Sequence, residues 1–418
     1  MKPNVAIIGL GYVGVPTAIA MAKAGMNVTG IDIDAKRVSQ LNACKSFINE
    51  IKDDELKAVR GNFRATTDWQ ELKKCSVILI AVPTPLTKNK TPDTSAIESA
   101  AENISKNFKK GSLVVLKSST YPGTTEELLK PILEKSGFRA GKDFDLAFAP
   151  ERIDPGNKTH KLEDVPKVVG GINKKSTKRA AEFFGLFLNK IHTVSSPRAA
   201  EMSKIYENVF RLVNVSLVNE LKMLSDKMGI DFWEVIEAAK TKPYGFMPFY
   251  PGPGIGGHCI PIDPFYLSWK AREINFFTHF IDLAAKVNES MPHTIVTKII
   301  WALNKRKKTV AGSKILVLGV AYKKDVDDPR ESPAIEIIWD LLKKSGKVLY
   351  NDPFISKIKI NGKKMLSKPL NRALVKGADC VVILADHSVY DYKMIAQNAK
   401  LVIDTRNAIK IKSQKIIK

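Results

Sequence analysis

The run Gly9-Leu10-Gly11-Tyr12-Val13-Gly14 constrains this chain more than any other stretch. It follows a short apolar segment, Val5–Gly9, and opens a helical pattern over Pro16–Ala24. A second apolar run, Met26–Ile31, then ends at Asp32. Strand, glycine turn, helix and strand in that order form a βαβ unit, whose two strands run parallel. Each glycine has its own task. Gly9 permits the tight turn, Gly11 lets a pyrophosphate approach the backbone, and Gly14 lets the helix pack closely on the strand. The helix N-terminus then faces the phosphates. Asp32 would accept hydrogen bonds from adenosine ribose hydroxyls and repel a 2′-phosphate, which favours NAD over NADP. Lys36 and Arg37 weaken that preference only slightly. The glycines at fixed offsets also argue against reading Lys2 and the apolar residues after it as a signal peptide.

The pattern continues. Apolar runs at Val77–Val82, Leu113–Lys117 and Leu146–Ala149 alternate with helical stretches at Ser95–Phe108 and Thr124–Ser136, which predicts a parallel, doubly wound sheet. From Ala199 to Leu303 the texture changes. Ala199–Met228 is periodic without Pro or Gly, Phe232–Lys240 and Phe276–Asn288 also read as helices, and a Pro/Gly-rich loop spans Lys242–Pro264. Strands return at Lys314–Leu318 and Val348–Tyr350, flanking a helix over Pro333–Ser345 and ending at Asp352. The stretches Lys74–Ala81 and Ala378–Ala385 resemble each other as buried strands at similar places. The fold class is therefore α/β, with two Rossmann-like doubly wound domains joined by a helical central domain. Their expected bounds are 1–197, 198–303 and 304–418. Gly319-Val320-Ala321 replaces Gly-x-Gly in the last, so that domain should hold something other than a dinucleotide.

A chain of 418 residues has room for two to three domains. Its net charge of +23 is concentrated: Trp301–Lys418 carries 25 Lys+Arg against 11 Asp+Glu. Charge runs are usually solvated surface, and nucleic-acid binding would want interleaved aromatics or a known module, which are lacking. A phosphate-bearing small molecule suits the remainder. Cys44, Cys75, Cys259 and Cys380 are scattered without a CxxC pair, which argues for a reducing cytoplasm and against a disulfide framework or metal site. No apolar run is long enough to span a membrane.

Individual residues carry the chemistry. Cys259 lies in Gly252-Pro253-Gly254-Ile255-Gly256-Gly257-His258-Cys259, too glycine-rich for core packing and just before a helix beginning near Pro264. Glycines there allow close backbone approach to a ligand, and a helix N-terminus favours a thiolate, so Cys259 reads as a nucleophile. Asp263 before Pro264 reads as a helix cap, a role compatible with catalysis. His258 is left out of the catalytic set, since an adjacent side chain can point away. Lys204 and Asn208 share one helix face at i and i+4, which by itself is usually a solvated face. Glu151 and Thr120 sit at strand carboxyl ends, where open α/β sheets gather functional groups.

Taken in order, these motifs identify a family. The fingerprint, Lys117-Ser118-Ser119-Thr120-Tyr121-Pro122-Gly123, Ala149-Pro150-Glu151-Arg152, the stretch Ala200–Asn208, the Gly-Gly-His-Cys loop and Asp327–Pro333 together resemble the UDP-sugar 6-dehydrogenase family across essentially the whole chain. The stretch Lys242–Pro264 looks most like the branch acting on UDP-N-acetylglucosamine. The resemblance implies a four-electron oxidation of the sugar C6 alcohol to a carboxylate with two NAD used in turn, through a thiohemiacetal and a thioester on Cys259. It further implies that Lys204 and Asn208 steady an oxyanion, and that Asp263, Glu151 and Thr120 manage protons or the hydrolytic water. The cofactor set is Gly9, Gly11, Tyr12, Val13, Gly14, Asp32, Arg37, Pro83, Thr84, Thr120 and Arg330. The substrate set is Glu151, Arg152, Lys204, Asn208, Tyr250, Gly252, Gly254, Gly256, Gly257 and Lys323. Ile262 and Ile153–Gly156 depart from the UDP-glucose branch. The implied partner is a UDP-sugar in a cytoplasmic homodimer or higher homo-oligomer, with no nucleic acid, membrane or metal. The alternatives are UDP-N-acetylmannosamine or UDP-glucose as substrate, a single-step hydroxyacid dehydrogenase, or a nucleotide-binding protein.

Overall fold

Eight strands make the first sheet of the computed structural model, which describes residues 2–48, 51–87, 89–152, 162–257 and 259–418. They are β1 (Asn4–Ile8), β2 (Asn27–Ile31), β3 (Phe63–Thr66), β4 (Val77–Ile80), β5 (Leu113–Leu116), β6 (Asp145–Phe148), β7 (Lys167–Gly171) and β8 (Ile191–Thr193). Their spatial order is β3-β2-β1-β4-β5-β6-β7-β8. Helices cover both faces, so the central strands β1, β2, β4, β5 and β6 are buried along most or all of their length. Val5 and Ile7 join one core cluster while Ala6 and Ile8 join the other, as the two-residue period of a strand requires.

The sheet is parallel as far as β6, where the expectation of a wholly parallel sheet fails. β7 runs antiparallel to β6, with Phe148 opposite Gly170 and Ala147 opposite Gly171, and β8 then pairs parallel to β7. Neither strand is legible beforehand, because Lys167-Val168-Val169-Gly170-Gly171 is short and ends on two glycines. Packing demands both glycines: a Cβ at Gly170 would collide with the Ser196 carbonyl, and one at Gly171 with the Thr177 backbone.

The chain packs as two compact units, Met1–Glu207 with Phe265–Phe276, and Asn208–Pro264 with Phe277–Lys418. In the second unit β9 (Lys314–Leu318), β10 (Lys347–Asn351), β13 (Cys380–Ile383), β14 (Val402–Asp404) and β15 (Ile416–Ile417) form a parallel sheet of order β10-β9-β13-β14-β15. Between them β11 (Lys357–Ile360) and β12 (Lys363–Leu366) form a separate antiparallel hairpin. The helix expected over Phe276–Asn288 is longer than its sequence pattern, running His279–Asn304 through Pro292. Its last turns supply Ile295, Val296, Ile299, Ala302 and Leu303 to the core beneath β9 and β13. The helix Pro197–Met228 is continuous over 32 residues.

Both sheets begin alike. Gly9 N donates to Ile31 O at 2.8 Å, and Gly319 N donates to Asn351 O at 2.9 Å. These glycines have φ of +91° and +81°. Asp32 then accepts from Leu10 N at 2.8 Å, and Asp352 from Val320 N at 2.7 Å and Ala321 N at 3.1 Å. The expected kinship of Lys74–Ala81 and Ala378–Ala385 is met, since β4 flanks β1 as β13 flanks β9.

Candidate active site

The glycine turn of the first unit separates packing from ligand room. A Cβ at Gly9 would lie 2.5 Å from Ala81 O, and one at Gly14 would collide with Gly9 O. At Gly11 a Cβ would meet nothing within 4 Å. That open space, before the helix Gly14–Lys23, is what a pyrophosphate needs. Asp32 is 7 % exposed at the end of β2; its oxygens accept Leu10 N and Asp34 N at 2.8 and 2.9 Å, which leaves acceptor capacity for ribose hydroxyls. Arg37 lies 3.8 Å from Asp32 and 3.4 Å from Asp34. Tyr12 is exposed beside Val13. Pro83 is exposed, while Thr84 Oγ1 donates to Ser119 O at 2.8 Å and its carbonyl accepts the buried Tyr266 hydroxyl. These residues fit a dinucleotide.

Further along the same edge, Glu151 follows β6. Its Oε2 accepts Lys117 Nζ at 3.1 Å and Lys167 Nζ at 3.2 Å, and its Oε1 accepts Arg152 N at 2.9 Å. The antiparallel register explains Lys167: continuing the β6–β7 pairing past Phe148 and Gly170 sets Glu151 opposite Lys167. Burial alone would push the Glu151 carboxyl up, but Lys167 and Lys117 outweigh it and hold the group far below the ordinary carboxylate range. Burial brings Lys167 down to about 8 against the pull of Glu151, with Lys117 and Lys204 adding to the fall. Lys117 and Lys167 were not among the expected site residues. A lysine ending or opening an apolar run is the only local signal, and it is ordinary.

Thr120 is buried, and its Oγ1 has no hydrogen-bond partner among the described residues. An orphaned hydroxyl at a strand end is suited to a ligand or water. Glu201 pins the turn that follows, accepting Gly123 N at 2.6 Å, Thr125 N at 2.9 Å and Thr125 Oγ1 at 2.6 Å. Lys204 is 6 % exposed, so the solvated-face reading does not apply to it. Arg152 donates to Pro166 O at 2.7 Å and pairs with Glu207 at 2.6 Å.

In the second unit the Cys259 carbonyl accepts Asp263 N at 2.8 Å and Ile262 N at 3.1 Å, closing a tight turn into the helix Asp263–Arg272. Asp263 is the first residue of that helix rather than a residue before it, and its Oδ2 accepts Asn208 Nδ2 at 2.5 Å. Arg211 donates to Asn208 Oδ1, so the amide orientation is set from both ends. Asn208 is wholly buried. The glycine loop is fixed by Gly252 N to Asn219 Oδ1 at 2.9 Å, Ile255 N to Asn288 Oδ1 at 2.6 Å and Gly257 N to Arg330 O at 3.2 Å. Protein fills the space a side chain would take at each glycine: Arg406 at Gly252, Pro333 at Gly254, Glu331 and Tyr322 at Gly256, and Tyr322 at Gly257. The Arg330 guanidinium holds Asp328 at 2.9 and 2.7 Å, and Lys323 follows Tyr322 in the same loop. Tyr250 donates to Glu237 at 2.9 Å and stacks against Trp233. His258 and residues 153–156 lie outside the described residues.

Family models match the chain in three consecutive parts: an NAD binding domain over residues 3–188, a central domain over 198–290 and a UDP binding domain over 316–411, all of the UDP-glucose/GDP-mannose dehydrogenase family. The chain belongs to this family. It is similar to UDP-N-acetyl-D-glucosamine 6-dehydrogenase of Pseudomonas aeruginosa, at 38% identity over 84% of this chain and 83% of that one. UDP-N-acetyl-D-mannosamine dehydrogenase of Pyrococcus horikoshii is 34% identical over 97% and 96% of the two chains. A solved structure of UDP-D-ManNAc dehydrogenase from Pyrococcus horikoshii superposes with a TM-score of 0.89 at 33% identity, covering 99% of this chain and 98% of that one. The protein is an NAD-dependent UDP-sugar dehydrogenase, which removes the single-step hydroxyacid and nucleotide-binding alternatives. Among the described residues no helix is long and apolar enough to cross a membrane.

Two outcomes are expected. Gly11→Ala should keep the melting temperature within about 2 °C yet weaken NAD roughly tenfold by calorimetry, whereas Gly14→Ala should lower melting by roughly 5 °C or more. The second concerns Glu151. Its folded carboxyl lies below the ordinary value of 4.5, so its stabilisation is complete above that value and is lost as pH falls below it. Glu151→Gln should cost about 3–5 kcal/mol in urea unfolding at neutral pH, because it strips the counter-charge from two buried ammonium groups. The gap from wild type should shrink as pH drops below the carboxylate range.

Proposed function

We propose that this enzyme oxidises the C6 alcohol of UDP-N-acetylglucosamine to the carboxylate, a four-electron change. The observation that carries the reading is the Cys259 turn, closed at the head of a helix whose first carboxylate is held by Asn208. A nucleophile needs a fixed backbone and a polar neighbour, and this turn supplies both.

Bound NAD supplies the hydride acceptor for each two-electron stage, and the residues of the glycine turn with Asp32 would hold it. Cys259 adds its sulfur to the C6 aldehyde, giving a thiohemiacetal; loss of a hydride from that adduct leaves a thioester for water to hydrolyse. Lys204 steadies the oxyanion by charge. Asn208 does so by hydrogen bonding, since its Nδ2 carries two N–H groups and Asp263 takes one. Asp263 accepts and returns the proton of the reacting oxygen. Glu151 and the Thr120 hydroxyl, which has no partner among the described residues, place the hydrolytic water. Glu151, held ionised by two lysines, is a weak proton acceptor and acts by accepting a hydrogen bond. Arg152, Tyr250, Lys323 and the backbone of Gly252–Gly257 serve the UDP-sugar. The same reading divides the chain at 1–197, 198–303 and 304–418.

The N-acetylglucosamine assignment is supported by the Pseudomonas aeruginosa relative and by the loop over Lys242–Pro264. A second reading, UDP-N-acetylmannosamine, is favoured by the Pyrococcus horikoshii protein, whose identity spans more of the chain. Phe210, Leu217, Leu221, Leu224 and Met228 are exposed at intervals of three, four or seven along one helix, which supports a homodimer through that face. Four scattered cysteines, three of them buried thiols, suit a cytoplasmic setting.

Assayed against UDP-GlcNAc, UDP-ManNAc and UDP-glucose, the enzyme should give its highest kcat/KM with UDP-GlcNAc and release about two NADH per sugar. Cys259→Ser should abolish acid formation; a variant that still makes the uronic acid refutes the thioester route. Leu217→Glu with Leu224→Glu should shift the particle toward the monomer mass in light scattering.

A further inference from the structure

The carboxylate of Glu151 carries more positive charge than a structural pair needs. Lys117 and Lys167 side chains are 1% and 4% exposed, and both ammonium groups meet one oxygen, Oε2, at 3.1 and 3.2 Å. Pairs elsewhere in this unit, such as Lys23 with Glu55 and Lys57 with Asp54, lie on the surface with solvated side chains. One buried cation would neutralise Glu151. The second adds a desolvation cost without a counter-charge of its own among the described residues, and such a cost is retained where the extra charge acts on something. The cluster is also rigid. Lys167 Nζ is tied to Pro150 O at 3.0 Å, Lys117 Nζ lies 5.8 Å from the centre of the Phe184 ring, and Glu151 Oε1 is taken by Arg152 N at 2.9 Å.

We propose that Lys117 and Lys167 are positioning residues that lock Glu151 as an ionised carboxylate in a single orientation, so that it orients water by accepting a hydrogen bond and does not take the proton. The proposal rests on the reading above, in which Glu151 serves the hydrolytic step. The antiparallel turn of β7 is the device that delivers Lys167, because a parallel strand would begin at the opposite edge of the sheet. The charged groups acting on Lys167 are Glu151, Lys117 and Lys204. With burial bringing it down to about 8, Lys167 is the member that releases a proton as the solution turns alkaline, and Glu151 then loses one of the two ammonium groups that meet its Oε2.

The full-length enzyme tests this with two variants. Lys167→Met keeps the Lys117–Glu151 pair, so folding is preserved, whereas Lys167→Arg keeps a permanent cation. In protein labelled with [δ-13C]glutamate, the Glu151 signal is identified by its absence from Glu151→Gln. The wild-type signal should stay in the ionised position down to the lowest pH at which the protein remains folded, and in Lys167→Met it should titrate toward the ordinary carboxylate range. Turnover supplies the second readout. Lys167→Met should lower kcat roughly tenfold with KM for the UDP-sugar within about twofold. Lys167→Arg should restore kcat to within about threefold and remove the loss of activity above about pH 8. A wild-type Glu151 that titrates normally, or a Lys167→Met enzyme with wild-type kcat and pH profile, overturns the positioning role. A Glu151→Gln enzyme that forms acid at the wild-type rate removes the reading beneath it, and the two failures are told apart by the carbon signal.

Discussion

Parallel strand pairing sends every strand of a sheet out at the same edge, and both units of this enzyme hang their chemistry from it. In the first unit the ends of β1, β2, β4, β5 and β6 present Gly9–Gly14, Asp32, Thr84, Thr120 and Glu151 in turn. Parallel strands need crossover helices, the helices bury both faces, and the loops at the carboxyl edge are left free to carry polar groups. The second sheet repeats the scheme with Gly319, Asp352 and Arg406. Asp32 and Asp352 each take backbone N–H groups from the loop after the first strand, so one carboxylate fixes that loop in each sheet.

A departure from this rule yields the most unusual electrostatics. β7 reverses direction, and its first residue, Lys167, therefore lies where β1–β6 end. Two ammonium groups then converge on Glu151 in a buried setting. Coulombic attraction there exceeds the penalty that burial imposes on the carboxylate, and the group stays charged. Glu201 performs a quieter task nearby, tying the Gly123–Thr125 turn to the helix that carries Lys204.

Glycine shows how far a motif can be read without coordinates. At Gly9, Gly11 and Gly14 the pattern assigned three different roles, and the structure supports each: a left-handed turn, open room, and close packing. At Gly252–Gly257 the same residue type was taken as a sign of ligand approach. Here each absent side chain makes room for protein, chiefly Tyr322, Pro333 and Arg406. Sequence spacing distinguishes these cases only when the flanking strand and helix are recognisable, as they are around Gly9 and are not in an irregular loop. The long helix His279–Asn304 exceeds its expected length because Pro292, which by itself reads as a helix breaker, lies inside it.

Local patterning alone determined the central strands β1, β2, β4, β5, β6, β9, β10 and β13, the long Pro197–Met228 helix and the dinucleotide turn, because these depend on periodicity and on residues a few positions apart; the resemblance of its motifs, taken in order, pointed to the family. Lys204 and Asn208 shared a helix face on spacing alone. Their burial, the Asn208 contact with Asp263, the direction of β7 and the convergence of Lys117 and Lys167 on Glu151 were decided by tertiary structure. A lysine 34 residues from a glutamate, or 16, carries no mark of its partner. Only the register of a sheet, set by backbone hydrogen bonds over its whole width, determines which distant charges meet.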